Sequence, residues 1–210
     1  RHHQERRLGR IKPELGGGSM TFFPIVDILQ GDVTGYIPTN LISMTDGQLY
    51  FSTTLFNKGI KPAIDFGLSV SRIGNKAQWP AMKELSKSLR LEYLQYKELV
   101  QMTQLNASGL SKEAEGKLKR GEAINQLIVQ DKNMPVSMEE EIVYLHALNS
   151  GLLDSLTTEQ IGRFKAQAFS FVSEQLPAFG KSVRETHDMP QEVRAKLDDV
   201  LKDFVGRIAG

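Results

Sequence analysis

The chain has 210 residues, 40% hydrophobic and 24% charged, with a net charge of +1 and no cysteine. That is the profile of an ordinary globular protein with room for one or two packed domains. A near-neutral balance gives no global pull toward nucleic acid or an anionic membrane. The missing cysteines exclude disulfides and thiolate metal sites. No apolar run reaches the roughly 18 residues that a spanning helix needs.

In chain order, residues Arg1 to Lys12 are basic and carry His2 and His3. They lack the apolar segment and cleavage site of a secretory signal and read as a solvated helix end stopped by Pro13. The chain opens on Arg1 rather than Met, the expectation for a fragment or a processed product. Gly16-Gly17-Gly18-Ser19 is a flexible turn. No GK[ST] follows it, so it is not a phosphate loop.

Met20 to Leu29 is an apolar run of strand length, expected to be a buried strand of a mainly parallel sheet, with Pro24 as an irregularity. Gly31 to Gly35 is a loop, and a short helical turn runs from Pro38 to about Met44. Asp46-Gly47 turns the chain into a half-buried strand, Gln48 to Ser52. Thr54 to Lys58 is a second helical turn, and Ala63 to Leu68 a last strand. Strands alternating with helical pieces imply an α/β layer. Only about half of such a sheet is here, so its opening strands are expected upstream of Arg1, and apolar strand edges should be exposed.

From Gln78 the pattern is helical. Met82, Leu85, Leu89, Tyr96, Leu99 and Thr103 mark one face of a long helix that breaks at Asn106 to Gly109. A second helix runs from about Lys112 to Val129, followed by a loop at Asp131 to Pro135. Ser137 with Glu140 opens a helix to about Asn149, ended by Gly151. Thr157 with Gln160 opens another to about Leu176, burying Ile161, Phe164, Ala168, Phe171 and Val172. Asp188 with Gln191 opens the last, with Val193, Leu197, Val200, Leu201, Phe204 and Ile208 inward. The expectation is an α/β part over residues 1–78 and an all-α bundle of about five or six helices over 79–210.

Few residues carry chemistry by themselves. His2, His3, His146 and His187 are not spaced to share a metal. Glu139 to Glu141 is a solvated first turn favoured by the helix dipole. GxSxG, HExxH and Walker patterns are absent. The exception is Arg72, which follows Ser69 and Ser71 at the end of the last expected strand. Its planar fork of donors and permanent charge suit phosphate. An ordinary ion pair at a strand–helix junction is the alternative. Ser69 and Ser71 could equally cap backbone.

The wording around Arg72 narrows the choice. GLSVSRIGNKAQ (67–78) closely resembles the GLSVSRVGxxAQ segment of the alpha subunit of F-type ATP synthases. Tyr36 to Gln48, YIPTNLISMTDGQ, is similar to that family's YIPTNVISITDGQ. Leu55 to Ile64, LFNKGIKPAI, is similar to its LFxxGxRPAI. The three segments match in order and without gaps, and weaker similarity runs from Gly16 to the C-terminus.

The resemblance implies that residues 1–78 are the C-terminal part of a RecA-like P-loop NTPase domain, followed by a helical bundle. It implies a peripheral subunit at the cytoplasmic face of a bacterial inner membrane, coupled to H+ or Na+ transport and inactive alone. Its partners would be the beta subunit in an alternating ring, the gamma central stalk and the delta or peripheral stalk. Arg72 would be an arginine finger lent to the neighbouring beta site. Ser69 and Ser43 match serines at the same catalytic interface. A non-catalytic ATP/ADP–Mg2+ site would have its phosphate and magnesium ligands upstream and its adenine wall at Phe56, Lys61, Pro62, Gln130 and Lys132.

The departures from the family bear on that wall and on the branch. Lys61 replaces an arginine, and Gln130-Asp131-Lys132 replaces QxQ, which weakens the adenine contact. Lys97 to Leu105 replaces RExAxFAQF, and Trp79-Pro80 is unusual. Both resemble a divergent, sodium-pumping bacterial form. The rival expectation is a structural or binding module of the same fold, in which Arg72 only bridges carboxylates between subunits.

Overall fold

A computed structural model of the chain describes residues 20–28, 31–105 and 111–210. The expected N-terminal helix end, the triple-glycine turn, Leu29 and the break at Asn106 to Gly109 lie outside the described residues. The described chain falls into two units, divided between Met44 and Thr45.

In the first unit, residues 20–28 form neither helix nor strand. Met20 and Ile25 are 89% and 98% exposed, and Phe22 and Phe23 are also open. The expected buried strand is therefore not formed. Apolar β-propensity describes how well a residue fits a pleated, half-buried surface, and no described segment pairs with this one. The Asp32 carboxylate accepts the Thr34 N–H at 2.8 Å and its hydroxyl at 2.6 Å. Helix α1 follows over Tyr36–Met44 and starts ahead of Pro38, which sits in its first turn.

The second unit opens on an antiparallel ribbon. Strand β1 (Gly47–Gln48) pairs with β2 (Val70–Ser71), with Gly47 opposite Ser71 and Gln48 opposite Val70. Phe51 bridges Ile64, also antiparallel. Between them Ser52 caps the short helix α2 (Thr53–Asn57) by accepting the Leu55 N–H. Among the described residues the only paired strands are this antiparallel ribbon, and the expected strand Ala63 to Leu68 turns out of it after Asp65. Between its paired positions the second leg carries three residues more than the first, and these form a turn at 66–68. The turn forms because the Asp65 side chain, rather than a neighbouring strand, satisfies the Gly67 and Leu68 N–H groups.

The rest is helical: α3 (Gly74–Ala77), α4 (Pro80–Leu85), α5 (Leu89–Leu105), α6 (Lys112–Ile128), α7 (Met138–Asn149), α8 (Thr158–Gln175), α9 (Phe179–Thr186) and α10 (Gln191–Ala209). The expected long first helix is broken at Ser86 to Ser88. The Asn149 amide donates to the Leu85 carbonyl at 2.8 Å, so the end of α4 is satisfied from another helix. Thr157 and Gln160 make a full capping box for α8. Ser137 caps α7 with its hydroxyl, while Glu140 turns to Tyr144. Pro190, not Asp188, precedes the first turn of α10. Helix α9 is unforeseen. It is short, and it ends on His187 in the left-handed region without the usual glycine.

The core lies in the bundle. Ile161, Phe164, Ala168 and Val172 of α8 are buried against Ile142, Val143 and Ala147 of α7 and Leu197 and Leu201 of α10. Phe171 is half-buried and stacks on Phe204 at 4.8 Å. Arg120 of α6 ties three helices together. It pairs with Glu92 of α5 at 2.9 Å, donates to the Leu148 carbonyl and reaches the Asn149 side chain.

Helices α5 and α6 approach closely at Gly121, where a Cβ would sit 2.1 Å from the Tyr96 ring. The Tyr96 hydroxyl donates to Glu122 at 2.8 Å, so the ring cannot easily turn aside. Gly121→Ala is therefore expected to lose about 1–3 kcal/mol from overpacking, despite a helix-propensity gain of about 1 kcal/mol. Gly116→Ala, which meets open space, should gain stability. Urea denaturation of both variants checks the pair.

Candidate functional site

Arg72 leaves the ribbon directly after β2. Its backbone N–H donates to the Asp46 carbonyl at 2.8 Å, closing the ribbon, and its guanidinium donates to the Thr45 carbonyl at 3.2 Å. The side chain is exposed. The two hydroxyls before it serve the backbone. Ser69 accepts the Tyr50 N–H at 3.0 Å, and Ser71 accepts the Gly74 N–H at 2.9 Å, where α3 begins. In this geometry the serines fix the path of the chain, and Arg72 is the group presented outward from it. Ser43 lies in the other unit, where its hydroxyl donates to the Thr39 carbonyl at 2.8 Å within α1.

The turn ahead of Arg72 is anchored on α5. Asp65 accepts the Gly67 N–H at 2.8 Å and the Leu68 N–H at 3.3 Å, and pairs with the Lys97 ammonium at 3.0 Å. Arg90 donates to the Gly67 carbonyl at 3.1 Å. Phe66 meets Tyr93 edge to face, with ring centroids 5.3 Å apart. Leu94 fills the space over Gly67, where a Cβ would lie 3.3 Å from the leucine methyl. Burial alone would raise the Asp65 carboxyl. The Lys97 ammonium and the two N–H donors outweigh it and hold the group below the usual carboxylate range.

Sequence reasoning missed this anchor. Its signal was present: Arg90, Leu94 and Lys97 stand at i, i+4 and i+7 and share one helix face. Polar residues on a helix ordinarily read as its solvated side, which is why the pattern carried no weight.

A second constellation joins distant segments. The Gln130 N–H donates to the Lys61 carbonyl at 2.7 Å. The Lys61 ammonium lies over the Phe56 ring, 4.7 Å from its centroid, and the ring is 55% exposed. Pro62 follows Lys61 through a cis peptide bond. Phe56, Lys61, Pro62 and Gln130 are thus brought together across the chain. The Gln130 side-chain amide is directed to the Met134 carbonyl at 2.7 Å, and Lys132 is exposed on the adjoining turn. An exposed ring beside a proline and an amide can stack and hydrogen-bond a planar heterocycle.

Among the described residues no group of three or more carboxylates and histidines is arranged for a metal. His146 pairs with Asp198 at 2.8 Å, and His187 stacks on Trp79 at 4.6 Å.

Two family models match. "ATP synthase alpha/beta family, nucleotide-binding domain" covers residues 3–71, and "ATP synthase alpha/beta chain, C terminal domain" covers residues 78–204. The chain is similar to the ATP synthase subunit alpha of Clostridium botulinum, 40% identical over 198 residues, which is 94% of this chain and 39% of that protein. It is 39% identical over 199 residues to the ATP synthase subunit alpha of Petrotoga mobilis, 95% of this chain and 39% of that protein. The chain thus spans about two fifths of the length of these relatives.

The Asp65 anchor predicts a pH dependence. A carboxyl whose folded pKa is depressed stabilises the fold above its unfolded pKa of about 3.9. That contribution is lost as pH falls through the lower folded value. Asp65→Asn should cost about 1–2 kcal/mol at pH 7. The gap from the parent should close as pH falls below about 3.9. Denaturant titrations at pH 7, 5, 4 and 3 check both parts. An equal gap at every pH would refute the charge-based account.

Proposed function

The chain belongs to the ATP synthase alpha/beta family and corresponds to the C-terminal region of its alpha subunits; from that membership we propose that Arg72 is an arginine finger, lent to the nucleotide site of a neighbouring beta subunit. In this reading the ribbon is the last part of a RecA-like domain. A guanidinium entering in trans would offset charge on the transferring phosphoryl oxygens. The observation that carries the reading is the fixed path of the chain. Ser69, Ser71 and the Asp46 carbonyl hold the backbone on both sides of an exposed arginine. A preorganised donor loses little freedom when it engages charge, which makes it effective on a transition state.

The chain would then be a regulatory subunit, without turnover of its own, in a complex for ATP synthesis or hydrolysis coupled to H+ or Na+ transport. It would alternate with beta around the gamma central stalk, bind the delta or peripheral stalk, and lie at the cytoplasmic face of the membrane without entering it. Ser43 would serve the same catalytic interface. Phe56, Lys61, Pro62, Gln130 and Lys132 would form the base-side wall of a non-catalytic ATP or ADP site. The exposed Phe56 ring supports stacking there. The commitment of the Gln130 amide to Met134 and the Lys61 ammonium over the ring both weigh against tight adenine selection. Mg2+ would arrive with the nucleotide, held by residues not assigned to this chain.

The test is steady-state ATP hydrolysis by a complex reconstituted with the full-length subunit. Arg72→Lys keeps the charge and loses the fork. It should lower kcat by about 10²-fold or more with assembly intact, since fingers of this kind contribute roughly 10³–10⁵ in nucleotide hydrolases. Near-parent turnover, or Arg72→Ala complexes that fail to assemble, would instead favour an arginine that bridges carboxylates between subunits.

A further inference from the structure

We infer that Arg90, Leu94 and Lys97 of α5 are positioning residues for Arg72, so that the helical bundle sets where the guanidinium stands. The inference rests on the finger reading of Arg72 and adds to it the means by which the finger is aimed.

All three side chains lie on one face of α5, and all three touch the same short turn. Lys97 holds the Asp65 carboxylate at 3.0 Å, Arg90 holds the Gly67 carbonyl at 3.1 Å, and Leu94 packs over Gly67 between them. The turn is the three-residue excursion of the second ribbon leg. From it the chain reaches Arg72 through a short series of fixed links. The Ser69 N–H donates to the Asp65 carbonyl at 2.9 Å, and the Ser69 hydroxyl accepts the Tyr50 N–H. The Gln48 amide donates to the Leu68 carbonyl at 3.3 Å. The β1–β2 pairing then leads directly to Arg72.

Each link is a directed hydrogen bond with little slack, so a displacement of α5 is carried to the turn and along β2. The α5 end is itself fixed. Glu92 pairs with Arg120, and Tyr96 is packed against Gly121 and bonded to Glu122. Lys97 does not reach the reacting groups. Its role is to hold the turn that holds the finger, and misplacement of a catalytic group by about 1 Å costs roughly 10²-fold in rate.

The experiment compares ATP hydrolysis by complexes reconstituted with the full-length subunit as parent, Lys97→Met, Arg72→Lys and the double variant. Lys97→Met should lower kcat about tenfold with KM within about twofold. In the Arg72→Lys background it should add less than about twofold, because a positioning residue has nothing left to aim. Lys97→Arg, which can still reach Asp65, should recover most of the loss. Equal losses in both backgrounds, or parent-like kcat for Lys97→Met, would overturn the inference. Parent-like kcat for Arg72→Lys alone would overturn the finger reading and this inference with it. Should Lys97→Met fail to assemble, Arg90→Gln, which weakens only the bond to Gly67, carries the same comparison with the same outcomes.

Discussion

Asp65 holds two backbone N–H groups and the Lys97 ammonium at once, and the turn ahead of Arg72 depends on that one carboxylate. It ends the paired run of the ribbon's second leg, turns the chain over three residues, and fastens the turn to α5. Without it the Gly67 and Leu68 N–H groups would lack their partner, and unsatisfied donors of this kind are costly when shielded from water. The charge is favourable because burial is outweighed by three donors, not because the site is wet. Arg72 lies four residues downstream of this turn, with its own N–H on the Asp46 carbonyl.

The bundle gives the turn something firm to hold. Its helices are joined by a shared apolar core, and a few polar ties cross between them. Arg120 links α5, α6 and α7. Arg194 of α10 makes a two-pronged pair with Glu84 of α4. Arg184 of α9 pairs at 2.5 Å with Glu139 of α7, which is only 6% exposed. Such pairs contribute little where solvent screens them, but they fix register where a carboxylate is buried, since leaving it unpaired is costly. The close approach at Gly121 fixes register sterically. Of these contacts, the Arg120–Glu92 pair and the Gly121 approach bear on α5 itself.

Phe56 and Gln130 are joined by another economy of the fold. A single backbone bond, Gln130 to Lys61, brings the loop after α6 against the loop after α2. The family's departures at this point have a visible physical consequence. A lysine in place of arginine lays a compact ammonium on the Phe56 face. In the proposed nucleotide site, a planar base would compete with that ammonium for the ring.

By itself the sequence determined where several of the bundle helices lie and which of their faces are buried. The 3.6-residue spacing of Ile161, Phe164, Ala168 and Val172, and of Leu197, Leu201 and Phe204, placed α8 and α10 and their buried faces. The hydroxyls of Ser137 and Thr157 marked two helix starts correctly. The run GLSVSRIGNKAQ singled out Arg72 and pointed to the family. These features are local, encoded in residues within one or two turns of each other.

Tertiary structure decided the rest. Apolar runs at Met20 and Ala63 have strand propensity, but a strand exists only where a partner satisfies its backbone. Residues 20–28 lack one among the described residues, and the second run is diverted by Asp65. The break of α4 from α5 depends on Asn149, far along the chain, and the end of α9 on a left-handed His187 that no glycine announced. The grip of Arg90, Leu94 and Lys97 was written at helical spacing. Only the arrival of the Asp65 turn against that face gave the spacing a meaning, because a polar helix face looks the same in sequence whether it meets water or a carboxylate.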